Sequence, residues 1–394
     1  MKTVREISDG KLRLNLQGAD STMSWRIHLQ EADTLYLEAK VLVESSSYVS
    51  SGATVITRIG GWFYNDSRGE GSGQEHNGYE GDVWADNRII LDENNKLIAK
   101  AFLWRTNNAD DTSDAELFGQ EFSTPVNFDT EYTLSIEFTG TAFVFKCNEN
   151  VLSYQLTTPA YPPSENDIQL TSRIYADSGE FGYIKATFDD VCITKGGAPY
   201  DNFEADTIDL SKWAESEYVR EISEGKLRLN IRGYDQKSTT DVYLTNGDTF
   251  YYEGKVFFES DSHVSPETPG VVGLSGWFYN DSRGPGSGQN YNRCEGDIWL
   301  DIRIILDENR NLTAKASATR ADDADNSSET VIFEQDFSGS INFDTEYLLS
   351  IEVSDSEIIF KYNDESLNYP MTTPVYKPYR NNKRLMSRKS EQTM

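Results

Sequence analysis

Polar and apolar residues alternate along most of the chain in short stretches bounded by Gly, Asn, Asp and Ser. Lys11–Leu16 reads KLRLNL, Tyr36–Ser45 YLEAKVLVES, Thr133–Phe138 TLSIEF, Ala142–Cys147 AFVFKC and Tyr183–Ile193 YIKATFDDVCI. A period of two predicts strands with one apolar face. No amphipathic helical pattern runs beyond about three turns, so the chain reads as nearly all strand. Many short antiparallel strands rich in aromatic and β-branched residues predict sandwiches in which each sheet buries one face.

The clearest of these patterns is Glu295–Ile305, EGDIWLDIRII. Gly296, Ile298, Leu300, Ile302 and Ile304 form its apolar side. Glu295, Asp297, Trp299, Asp301 and Arg303 share the opposite side. An earlier stretch repeats the arrangement, with Glu80, Asp82, Trp84, Asp86 and Arg88 set against Gly81, Val83, Ala85, Asn87 and Ile89. Both predict a strand that presents carboxylates, a tryptophan and an arginine in one row.

That recurrence extends over the whole chain. VREIS at Val4 returns at Val219, GKLRLN at Gly10 returns at Gly225, and GWFYNDSRG at Gly61 returns at Gly276. RIILDEN at Arg88 returns at Arg303, and NFDTEY at Asn127 returns at Asn342, always 215 residues on. An ungapped register of this length identifies a tandem duplication. The expected domains are 1–196 and 197–379, followed by a basic tail, 380–394, expected to be disordered. The copies are offset at their ends. DNFEADTIDLSKW, from Asp201, precedes the second copy without a counterpart before Val4, and FGYIKATFDDVC, to Cys192, closes only the first. If these are neighbouring strands, each copy has an open edge. The two segments can pair through the GGAP turn at Gly196, or other chains can cover the edges by self-association.

Charge narrows the partners. With 36 Lys and Arg against 65 Asp and Glu, the net charge is −29, which argues against nucleic acid and anionic membranes. No apolar stretch approaches the length of a transmembrane helix. The start, MKTVREISDGKLRLN, has no secretion-signal pattern, although a processed chain could be extracellular or surface-exposed. Cys147, Cys192 and Cys294 form no C-x-x-C spacing and read as buried thiols.

The opening DNFE…ID..KW, the GDVWAD and GDIWLD strands and the closing GYIKATFDDV together resemble the concanavalin A-like lectin and glucanase superfamily. The resemblance implies an all-β chain of two jelly-roll β-sandwich domains in tandem, each of two antiparallel sheets. It also implies a concave face that receives carbohydrate, and first and last strands lying side by side. Lectins, non-catalytic modules and glycoside hydrolases share this fold, so function must come from the site.

The leading reading is a carbohydrate-binding protein. Trp84 and Trp299 offer flat rings to sugar faces, while Glu80, Asp82, Asp86, Arg88, Glu295, Asp297, Asp301 and Arg303 hydrogen-bond hydroxyls. Trp104, which the second copy replaces with Thr319, enlarges the first platform if it lies beside Trp84; independent packing roles explain the difference equally well. Asp66, Arg68, Asp281 and Arg283, in Gly-rich loops, are candidates for the rim. A hydrolase is the alternative, with Glu80 and Asp82, or Glu295 and Asp297, as the catalytic pair; on a regular strand their spacing of about 7 Å suits inversion. A third reading makes the repeats structural or adhesive modules. No cofactor is required. Calcium is a candidate near Asp110 and Asp325, where NNADDTSD and RADDADNSS supply oxygens, although an acidic hydrated turn is the favoured reading of both. His28, His76 and His263 do not recur between the copies, which argues against a duplicated zinc or iron site.

Overall fold

The structure is a computed structural model and describes residues 2–19, 23–31, 35–67, 77–165, 167–231, 240–244, 250–264, 268–282, 293–380 and 382–389. Among them every regular element is a strand. The chain divides into two units, Met1–Tyr234 and Asp235–Met394.

Unit 1 begins with β1 (Lys2–Ser8), β2 (Lys11–Ala19), β3 (Met23–His28), β4 (Tyr36–Val43), β5 (Tyr48–Val49) and β6 (Thr54–Asn65). Next come β7 (Asp82–Leu91), β8 (Leu97–Thr106), β9 (Asp114–Glu121), β10 (Glu131–Phe138), β11 (Ala142–Cys147) and β12 (Asn150–Gln155). It ends with β13 (Ile168–Tyr175), β14 (Phe181–Ile184), β15 (Ala186–Cys192), β16 (Tyr218–Ser223) and β17 (Lys226–Ile231). One sheet has the order β12-β11-β10-β4-β15-β2-β1-β16-β17, with β14 and β5 alongside, and the other β3-β13-β6-β7-β8-β9. The pairings are antiparallel and the order crosses between distant strands, giving a two-sheet jelly-roll sandwich. Leu12, Leu14, Val41, Leu134 and Ile136 from the first sheet meet Ile59, Val83, Ala85 and Leu103 from the second in one core. Asn87 interrupts the apolar face of β7 and donates to the carbonyls of Ser135 and Lys146, so its burial leaves the amide nitrogen satisfied.

The opening segment of the second copy belongs structurally to the first. Val191 bridges Asp201, Leu29 bridges Trp213, and Phe203 and Trp213 are fully buried in the unit 1 core. Trp213 donates through Nε1 to Asp201 at 2.7 Å and stacks on Phe203. The closing strand and the opening segment thus lie side by side across the GGAP turn. The hairpin β16–β17 follows them, pairing with β1 so that Val4 faces Val219, its own repeat equivalent. These contacts place the division between units at Tyr234 and Asp235, later than the repeat boundary at 196.

Unit 2 contains β18 (Thr240–Leu244), β19 (Tyr251–Val256), β20 (Gly270–Asn280), β21 (Asp297–Leu306) and β22 (Leu312–Ala321). They are followed by β23 (Glu329–Asp336), β24 (Tyr347–Val353), β25 (Glu357–Tyr362), β26 (Glu365–Pro370) and β27 (Lys383–Lys389). Its sheets run β18-β27-β20-β21-β22-β23 and β19-β24-β25-β26. The basic segment expected to be disordered therefore contains an interior strand, β27, paired on both sides. It is the repeat equivalent of β13. Leu385 packs against the unit 2 core, and Lys383, although 1% exposed, sends Nζ to the Trp277 carbonyl at 2.5 Å.

Candidate functional site

In each unit the six-stranded sheet positions the site, because one of its faces is not part of the sandwich core. On β7, Val83, Ala85, Ile89 and Leu91 join the core, while Asp82, Trp84, Asp86 and Arg88 alternate onto the other face. A bulge on β6 sets its neighbours. The register shifts between Trp62 and Tyr64, so Phe63 and Tyr64 both enter the core and Trp62 stays on the outer face.

Register then aligns three tryptophans. Trp62 is opposite Trp84, and Trp84 is opposite Trp104, on adjacent strands β6, β7 and β8. Trp62 and Trp84 meet edge to face at 5.1 Å, Tyr79 lies 5.9 Å from Trp62, and Trp104 stacks on Phe102 at 5.7 Å. Trp84 is buried at the middle of this row, whereas Trp62 and Trp104 are half-buried and form its accessible ends.

Behind the row lies a charge centre. Gly60, Asp86 and Phe102 occupy the next rung, and Arg58, Arg88 and Lys100 the one after. Asp86 is fully buried; it accepts from Arg58 at 2.9 Å, from Trp84 Nε1 at 3.1 Å and from Arg88 through Nε and Nη2. Burial pushes its carboxyl up, but the guanidinium charges of Arg88 and Arg58, with hydrogen bonds from Arg88 and Trp84, outweigh burial and hold it below the usual range. Arg58 also lies 4.9 Å over Trp84, and Arg88 4.1 Å over Phe102. Only glycine fits at position 60: a Cβ there would meet Asp86 Cβ and the Ala85 carbonyl at 2.7 Å.

Asp82 and the rim acids hold the frame. Asp82, also fully buried, accepts from Asn65, from the Ser164 backbone at 2.9 Å and from the Ser164 hydroxyl. Asp297 repeats this through Asn280 and the backbone of Tyr379. Glu80 and Glu295 differ from the sequence expectation of one continuous strand. Each sits in the turn before it, separated from the aspartate by Gly81 at φ +85° or Gly296 at φ +82°. The regular-strand spacing therefore does not apply to either pair. Asp66 is bound by both oxygens to Arg105 Nε at 2.9 Å, and Asp281 likewise to Arg320.

Unit 2 keeps the scheme with fewer aromatics. Trp277 meets Trp299 at 5.1 Å, but Thr319 and Ser317 stand where unit 1 has Trp104 and Phe102. Gly273 replaces Arg58, and a cation reaches Trp299 from a different strand, Arg384 of β27 at 5.1 Å. Arg303 donates to Asp301 at 2.6 Å.

No family model matches the chain, and no curated protein matches it. Solved structures that overlap with it include the carbohydrate-binding module CBM66 from Bacillus subtilis, at 13% identity and TM-score 0.24 over 48% of this chain and 90% of that one. A Bacteroides ovatus GH16 structure in complex with its G4G4G3G product overlaps at 7% identity and TM-score 0.29, over 48% and 85%. A legume lectin-like domain from Entamoeba histolytica does so at 9% and 0.29, over 49% and 89%.

The structure brings Trp84, Asp86, Arg88 and Trp104 onto one face, with Asp82 at its end. Trp299, Asp301 and Arg303 form the equivalent group. Arg68, Arg283 and His76 lie outside the described residues. Asp110 accepts from Thr112, and Asp325 from the Ser327 backbone, within exposed turns. Among the described residues no three His, Cys, Asp or Glu side chains converge as metal ligands. The three cysteines are free thiols, with Cys147 pushed up to about 11 by burial. Sequence reading missed Trp62, Arg58, Arg105 and Arg384. Trp62 was legible in the repeated GWFYN, but its face depends on the bulge.

Proposed function

We propose that the outer face of the six-stranded sheet in unit 1 binds glycan without cleaving it. The carrying observation is the transverse row Trp62, Trp84 and Trp104, held off the core beside Arg58, Arg88 and Asp86. Two strand spacings separate its ends, about 10 Å, which suits stacking against consecutive sugar rings. Sugar C–H faces pack on Trp62 and Trp104, while the buried Asp86, Arg58 and Arg88 behind them hold the platform in place. Trp84 acts as the base that orients its neighbours. Unit 2, lacking the third tryptophan, is the weaker site.

Hydrolysis needs two carboxyl groups that flank a glycosidic bond and reach substrate. The burial of Asp82 and Asp297 against fixed donors supports binding over cleavage. In a glycan array probed with the full chain, Trp104→Ala and Trp62→Ala should each weaken binding by about thirtyfold, roughly 2 kcal/mol, with circular dichroism unchanged. Affinity should be equal in calcium and in chelator. Absence of binding to every glycan would sink the proposal and favour a structural or adhesive repeat. Reducing-end release abolished by Glu80→Gln with Glu295→Gln would replace it with the hydrolase.

A further inference from the structure

The four-stranded sheet of unit 2 reproduces part of unit 1 pairing for pairing. Tyr251 faces Glu352 as Tyr36 faces Glu137, and Val256 faces Tyr347 as Val41 faces Tyr132. In unit 1 the other edge of β4 carries β15: Ala186 faces Val43, Phe188 faces Val41 and Asp189 faces Lys40. In unit 2, β19 is the end strand of its sheet among the described residues. The carbonyls of Phe250 and Phe258 accept from Val353 and Asp344 on the β24 side. Strand alternation therefore turns the backbone N–H and C=O groups of Tyr251, Glu253 and Lys255 to the opposite edge.

The side chains along this edge are set for the same occupant. Lys40 pairs with Asp190 of β15 at 2.7 Å and is 38% exposed, whereas Lys255 is 68% exposed and has Glu346 at 3.7 Å. Val41 and Leu37 are fully buried; their equivalents Val256 and Tyr252 are each 8% exposed. In unit 1 the space beside them is filled by Ala186, Phe188 and Val191, all buried in the core.

We propose that the β19 edge is a docking site for an extended strand of the β15 type supplied by another protein, with a phenylalanine entering the interior at Val256 and an aspartate meeting Lys255. The strand is added by backbone pairing, and the alternate side chains select it. This goes beyond glycan binding and does not depend on it. The probe is a labelled peptide spanning residues 181–195 with Cys192→Ser, titrated into the full chain by fluorescence anisotropy. Saturable one-to-one binding in the micromolar range is expected, with hydrogen-exchange protection confined to 251–257. Phe188→Asp in the peptide should weaken it by about tenfold or more. Lys255→Glu in the protein, an exposed change that spares the fold, should weaken it by about threefold. No saturable binding, equal binding of the Phe188→Asp peptide, or protection elsewhere would overturn the proposal. So would sedimentation of the chain as a dimer with β19 already protected, which would assign the edge to a second copy.

Discussion

Asp86 shows why a residue's charge and its role must be separated. A lone carboxylate at full burial would be heavily penalised; here two guanidinium groups and an indole N–H compensate it. Removing the charge strands both arginines. Asp86→Asn should therefore destabilise unit 1 by about 3–5 kcal/mol, read from hydrogen exchange of its core strands. The pH dependence follows from the depressed carboxyl. Its stabilisation is complete above the unfolded value of about 3.9 and disappears as pH falls through the lower folded value. The gap between wild type and Asp86→Asn should thus stay constant from neutral pH to about 4.5 and narrow below about 4. A gap that narrowed around pH 6 would place another group in control.

Strand alternation was enough to put Trp84, Asp86 and Arg88 on one face and Val83 and Ala85 on the other, because side-chain period alone decides it. It failed where backbone geometry intervenes. Gly81 in the left-handed region takes Glu80 off the strand, and the bulge after Trp62 turns two successive aromatics inward. These depend on partner strands that local pattern cannot reveal. The basic segment near the end looks like a tail for a different reason: its lysines and arginines obscure the repeat, although Leu170, Ser172 and Arg173 do return at Leu385, Ser387 and Arg388. As an interior strand, β27 joins β18 to β20 and supplies Leu385 to the core. Ending the chain after Asn382 should consequently abolish exchange protection in β20 and β21 while leaving β6 and β7 protected. Full protection of β20 in that truncated chain would return the segment to the role of a tail.

At the scale of the molecule, repeat boundaries and folding boundaries do not coincide. The opening segment of the second repeat completes the first, and the following hairpin pairs about a local two-fold centred on Val4 and Val219. The two-fold is reinforced by charge. Glu6 and Glu221, nearly buried, each face both Arg13 and Arg228, with Arg228 to Glu6 at 2.8 Å and Arg13 to Glu221 at 3.7 Å. Because each carboxylate is shared by both hairpins, the pairing is self-complementary in the manner of an isologous contact. Stability of the first repeat then depends on residues more than two hundred positions beyond its own start. Trp213→Ala, deleting a fully buried indole stacked on Phe203, should cost unit 1 about 3–5 kcal/mol and leave β24 and β25 of unit 2 at wild-type protection. If the segment instead belonged with the second repeat, the loss would appear in β24 and β25 and spare β7, so one exchange experiment distinguishes the two assignments.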